Sequence, residues 1–334
     1  MAAPATPQQL ASLVQDTQAA EAAALEEATV EEADGGTGAR LAALAAVVLA
    51  AWVAAFGALT AAGTGVRLAQ LLAGVRADVD RASRGLDARS QHALERALDG
   101  ATRMGARHAA TFLTRATGRL HTAPAVTVSA DAARAAWGLA GSVREQLRMA
   151  ARLLSPRMVS GSGWRGVLTG LGAARRAAAL VRQTVTWAIH RAINDGTAQT
   201  ANHYSARLLW IAETDACVTC LAYAGRLSDR DGQFPGGLSM DPNARSTTRA
   251  SLDGPPAHIN CRCRAVPWLP GWGAGSGSLP DLLREQAWHS IATGRGRPSE
   301  SHAARRRAAQ ALLAQRGLSA RVRRQAQATA AGRS

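Results

Sequence analysis

Four cysteines lie between Cys217 and Cys263 in the pattern C-x2-C, then about 40 residues, then H-x2-C-x-C, which brings in His258. Thiolates and imidazoles are soft or borderline donors, and a C-x2-C turn can deliver two thiolates to one ion. In an extended chain Cys261 and Cys263 point to the same side with Arg262 opposite, so they can converge with Cys217, Cys220 and His258 on one metal. Five donors for four tetrahedral places leave one to spare. The set therefore favours a closed structural zinc over a catalytic ion with an open position. Free thiols, and disulfides formed later in an oxidising setting, are competing uses of the same residues.

Catalysis would need more than the metal. Glu213 or Asp215 could supply an acid or base beside it, but no H-x-E accompanies a P-C-x-x-C, and there is no P-loop, G-x-S-x-G elbow or H-E-x-x-H helix. Catalytic residues are not expected, and neither is an enzyme.

The elements that must hold the cluster can be read around it. Ala206 to Ala212 is a short apolar run that suits a strand leading into the cysteines, or equally the end of a helix. Before it, Val181, Val185, Ile189 and Ala192 mark one face of a helix, and Asn194-Asp195-Gly196 reads as its C-terminal stop. Ser155-Pro156 and Ser160-Gly161-Ser162-Gly163 mark a break, a candidate domain boundary. A helix is expected over Ala130 to Leu154. Over Leu86 to Leu120, Leu94, Leu98, Ala101, Gly105, His108 and Phe112 recur in steps of four and three, as in a bundle or coiled-coil seam. His108 on that seam reads as a packed histidine without chemistry.

Leu41 to Val66 is a run of 26 residues with no charge, long enough to cross a bilayer. Its larger side chains Leu41, Leu44, Val48, Trp52, Phe56 and Leu59 lie on one stripe, which equally suits a helix packed on a protein core. Gln8 to Val30 forms an acidic helix, either a docking arm or a loose tail, ended by Asp34-Gly35-Gly36-Thr37-Gly38. At the other end a Gly/Ser linker, 271–280, precedes Arg-rich helical segments.

With 13 aromatic residues and much alanine, the chain is expected to be mainly α with a small α+β zinc-clasped module and short strands near the cluster. The expected order is an acidic arm (1–40), a helical region with a long uncharged helix (41–160), the cysteine module (165–270), the linker, and a tail (281–334). All 39 basic residues are arginine and the net charge is +15, distributed as −6 over 1–40, +8 over 281–334 and +13 between. In the tail Arg305, Arg306, Arg307, Arg321, Arg323 and Arg324 are candidate DNA contacts through charge, without sequence readout, with solvated arginines on a helix surface as the competing use. Met1 to Gln18 has no basic n-region before an apolar core, so no secretory signal is expected there.

Around the cluster the sequence resembles the phage head morphogenesis family of minor head proteins, Mu gpF-like or SPP1 gp7-like. The resemblance rests on Trp210, Asp215, Cys217, Cys220, Gly225, Pro255, Pro256, His258, Cys261, Arg262 and Cys263 and spans about Arg165 to Trp268. Ile259 departs from it, standing where the family usually has proline. The resemblance implies a minor capsid component that joins the portal vertex, works with portal, capsid and scaffold proteins, contacts packaged DNA and resides in the virion head after assembly in the host cytoplasm. A homo-oligomer is compatible with the helical seams. The competing readings are a membrane-associated or ejected virion protein using 41–66, a prophage effector with a metal-dependent hydrolase, and a cytosolic zinc-finger regulator.

Overall fold

The computed structural model describes residues 3–61, 63–244, 251–269, 272, 278–294, 296 and 300–333. It is mainly helical, with four short strands among the described residues. The chain forms two compact units. One is built from Met1–Leu25, Leu98–Ser129 and Ile189–Ser334, the other from Glu26–Ala97 and Ala130–Ala188. The expected boundaries near 40, 160 and 270 therefore do not separate the units, because long helices lend segments to both.

The second unit is all helix. Its elements are the end of α2 (Ala19–Asp34), α3 (Thr37–Phe56), α4 (Gly65–Ala82), the start of α5 (Leu86–Thr117), α6 (Ala130–Leu153), α7 (Pro156–Val159) and the first part of α8 (Trp164–His203). Gly35 and Gly36 take φ of 52° and 73°, which breaks α2 from α3. The Asp34 carboxylate then accepts the Gly38 N–H, placing negative charge at the start of α3. Leu41, Val48 and Trp52 of α3 pack with Leu68, Leu72, Val75 and Val79 of α4, with Leu154 and Val159, and with Val167 and Leu171 of α8.

The uncharged run is not one helix. Gly57 adopts φ 82° and ends α3 at Phe56, so Leu59 leaves the stripe and is exposed while Leu41, Val48 and Trp52 stay buried. At 20 residues and hydropathy 2.1, α3 alone still has the length and composition to cross a membrane.

The first unit carries the cysteines. Strand β1 (Arg207–Ile211) pairs antiparallel with β4 (Arg264–Trp268), Leu209 opposite Val266. The far side of β1 is closed by the chain from Gly225 to Ser228, with Gly225 N–H donating to Trp210 O at 2.9 Å and Ser228 N–H to Leu208 O at 2.8 Å. Side chains alternate across this ribbon. Leu209, Ile211, Val266 and Trp268 meet Phe112 of α5 and Leu10, Ala11 and Val14, so the N-terminal arm docks here. That arm comprises α1 (Pro7–Ser12) and a π-helical stretch, Leu13–Gln18, leading into α2. Leu208, Trp210 and Ala265 face the cysteines, short helix α9 (Val218–Leu221), and the C-terminal helices α10 (Leu279–Ala292), α11 (His302–Leu312) and α12 (Ala320–Ala330). A minor two-stranded pair, β2 (Phe234–Pro235) with β3 (Ser251–Leu252), completes the module.

The expected helix stop is corrected here. Helix α8 continues through Asn194-Asp195-Gly196 to His203. Gly196 serves a crossing: a Cβ there would sit 2.0 Å from Thr102 O on α5, and one on Gly105 would sit 1.8 Å from Ile193 O. Glycine on both helices lets the two backbones touch. The α5 seam residues Leu94, Leu98, Ala101, Gly105, His108 and Phe112 are all buried. His108 Nε2 lies 2.8 Å from Glu21 of the arm, and burial lowers its pKa despite that partner. The linker falls mostly outside the described residues, with 279 and 280 already in α10 and Trp272 edge-on to Trp268 at 5.0 Å.

Candidate metal centre

Cys217 caps the N-terminus of α9, and its Sγ accepts the Cys220 N–H at 3.5 Å, so one helical turn brings the first two thiols together. A turn in which Cys261 N–H donates to His258 O at 2.9 Å carries the second group back, and Cys263 ends it at the start of β4. His258 Nε2 lies 3.1 Å from Cys217 Sγ and 3.2 Å from Cys220 Sγ, and Cys220 Sγ lies 3.4 Å from Cys261 Sγ. A tetrahedral ion held at about 2.3 Å by sulfur and about 2.0 Å by nitrogen sets donor edges of about 3.8 Å and about 3.6 Å. The three observed separations fall within about half an ångström of those edges, so the donor set fits such an ion with small side-chain adjustments.

All five candidate ligands are brought together, in two groups of three. Cys217, Cys220 and His258 form one, Cys220, Cys261 and Cys263 the other, and Cys220 is common to both. All four cysteines are free, and three of them are buried. Protons are already unevenly shared. A hydrogen bond from Cys220 holds Cys217 down to about 4 against its burial, helped by His258. Donation to Cys217, contacts with Cys261 and Cys263, and burial push Cys220 well up. A metal would displace the remaining protons.

Several supports lie far away in sequence. Asn194 Nδ2 donates to Cys263 O at 3.1 Å while its Oδ1 accepts the Ala265 N–H at 2.8 Å, so one side chain of α8 fixes the backbone on both sides of Arg264. Glu300 accepts the Val218 N–H at 2.7 Å at the start of α9. Trp210 stacks on Tyr223 at 4.6 Å and meets the edge of Phe234 at 5.2 Å beneath the cluster. Gly225, at φ 72°, has no space for a side chain, since a Cβ would lie 2.1 Å from Pro280 O. Asp215 and Ile259 are exposed, Pro255 and Pro256 are buried, and Arg262 is half-buried. Nothing in local spacing signals Asn194 or Glu300. Arg264 is buried, and desolvation takes its pKa down to about 10 against the pull of Glu213.

Two of the six candidate DNA contacts belong to this scaffold. Arg305 is buried: its Nε donates to Glu300 at 2.8 Å and its Nη2 to Ala216 O at 2.9 Å, directly before Cys217. Arg307 makes a two-pronged pair with Asp241 at 2.8 and 2.7 Å. Arg305 corrects the sequence expectation, because a buried guanidinium held by an internal carboxylate does not reach phosphate, whereas Arg307 keeps about a third of its side chain exposed beside Asp241. Arg306, Arg321, Arg323 and Arg324 are exposed. The tail is thus part of the module's core, with Ala308, Ala309, Leu312 and Ala326 packed among the same residues as Cys220 and Cys261. No family model, curated protein or solved structure matches this chain.

Proposed function

We propose that the chain is a phage or prophage minor head protein that joins the portal vertex during head assembly, with a structural zinc holding its module together. The observation that carries this reading is the convergence of Cys217, Cys220, His258, Cys261 and Cys263 under Trp210, the residues on which the family resemblance rests. Four thiols and one imidazole suit zinc, and a surplus of soft donors suits a closed site whose role is to hold loops. In that role Cys217 and Cys220 would clasp α9, and His258, Cys261 and Cys263 would clasp the approach to β4. No residue is assigned to catalysis. Co-expression with a portal protein from the same source, followed by native mass spectrometry of the purified ring, tests the reading. Rings carrying this chain are expected, and rings that elute without it at micromolar excess refute the association.

A second reading is favoured by α3. Val47, Leu49 and Val53 are exposed on a helix with no charge after Arg40, which suits a virion protein that meets a membrane. Carbonate extraction of expressing cells separates the two, since quantitative release into the soluble fraction removes an integral protein.

A further inference from the structure

The outer face of α6 carries two glycines that nothing inside the chain requires. A Cβ on Gly138 or Gly141 would meet nothing within 4 Å, and neither residue has a positive φ. Glycine is a poor residue in the interior of an exposed helix. Beside the pair stands Trp137, 65% exposed. Arg134, Glu145 and Arg148 are exposed as well, and Asp131 is half-buried.

Asp131, Arg134, Gly138, Gly141, Glu145 and Arg148 follow one another in steps of three and four. At about 100° per residue they fall in a sector of about 100°, opposite the face that Ala132, Ala136, Leu139 and Val143 bury. This is the spacing of a helix-pairing seam, turned outward. Within the chain its charges are joined only along the helix, Asp131 with Arg134 and Glu145 with Arg148.

Read along the seam, the order is acid, base, glycine, glycine, acid, base, and that order complements itself when reversed. Two copies of α6 laid antiparallel about a two-fold axis between Leu139 and Ala140 set Asp131 against Arg148, Arg134 against Glu145 and Gly138 against Gly141. A single axis matches all six positions. Parallel, in-register pairing would instead set each charge against its own kind. The central glycines let the two helices approach to about 8 Å. Trp137 flanks the seam at about the height of Gly141 of the second copy, where bare backbone leaves room for its ring.

We infer that the outer face of α6 pairs, antiparallel, with the same face of a second copy of this chain in a two-fold dimer. The surface is distinct from the α5 seam, which is buried inside the chain. A contact made by one helix pair is small, so association in the micromolar range is expected. The inference does not depend on the portal reading, since it concerns the purified chain alone.

Sedimentation equilibrium of the full chain from about 1 to about 200 µM at low salt is the test. One variant carries Asp131→Arg with Arg134→Glu, and a second carries Glu145→Arg with Arg148→Glu. Each keeps an opposite-charge pair three residues apart on its own helix, outside the core, so both should keep the helical spectrum of wild type. Wild type is expected to pass from monomer to dimer over the concentration range. Each variant alone sets like charges together at all four contacts and is expected to associate at least about 30-fold more weakly. An equimolar mixture of the two restores four opposite-charge contacts and is expected to form the dimer that neither forms alone. Gly141→Ala is expected to weaken the dimer while favouring the helix of the monomer at dilution. A wild type that stays monomeric at the highest concentration, a charge variant that associates as wild type does, or a mixture that stays monomeric would each overturn the inference.

Discussion

Replacing Cys220 by serine probes the candidate metal centre at the residue that both donor groups share. The change keeps nearly the same volume in a site where the thiol is 1% exposed, so the direct cost without metal is that of a poorly paired buried hydroxyl, about 1–3 kcal/mol. The larger effect comes through the metal. Structural zinc contributes about 10–16 kcal/mol over four donors, or about 3 kcal/mol for each when shared evenly. Losing Cys220 leaves Cys217 with His258 on one side and Cys261 with Cys263 on the other, without the sulfur that joins them. Zinc affinity is therefore expected to fall at least about 10²-fold, the equivalent of that 3 kcal/mol. The surplus donor should show the opposite behaviour. Among single replacements of Cys217, His258, Cys261 and Cys263, one is expected to change affinity only a few-fold. A competition titration against a chromophoric chelator reads all five variants on one scale. A Cys220→Ser protein that binds zinc within threefold of wild type would refute the shared-donor geometry.

Gly196→Ala should destabilise the protein by about 1–3 kcal/mol or more in urea unfolding, because the new methyl meets backbone that cannot swing away. Gly141→Ala on exposed α6, with nothing within 4 Å, should stabilise by up to about 1 kcal/mol, and equal effects at the two sites would contradict the helix crossing. Arg305→Ala leaves Glu300 charged and buried and should cost about 3–5 kcal/mol, lowering both melting temperature and zinc retention. Arg307 beside Asp241 holds its carboxyl below the ordinary 3.8. The folded form thus gains from that charge above pH 3.8 and loses the gain as pH falls below it. Asp241→Asn should accordingly flatten the fall in melting temperature through that acid range.

The Cys/His donor cluster was legible because the capacity to chelate is written in residue type and short spacing: C-x2-C makes one turn and C-x-C one extended step. The α5 seam was legible for a similar reason, since Leu94 through Phe112 repeat with the period of a helix and every member is buried. Other features depend on partners far away in sequence. Asn194-Asp195-Gly196 has the composition of a stop, yet the helix continues because Gly196 is needed for contact with Thr102, and Asn194 is needed to hold Cys263. Arg305 and Arg307 look like a solvated basic run until Glu300 and Asp241 are placed beside them. The apolar run of 41–66 carried its own terminator in Gly57, but a glycine among alanines marks a break only when the backbone takes φ 82°.

The head-protein reading is tested most directly by quantitative mass spectrometry of gradient-purified particles from the element that encodes this chain. A few copies per portal ring, present in procapsids and mature particles alike, are the expected result. Reproducible absence from both would contradict it.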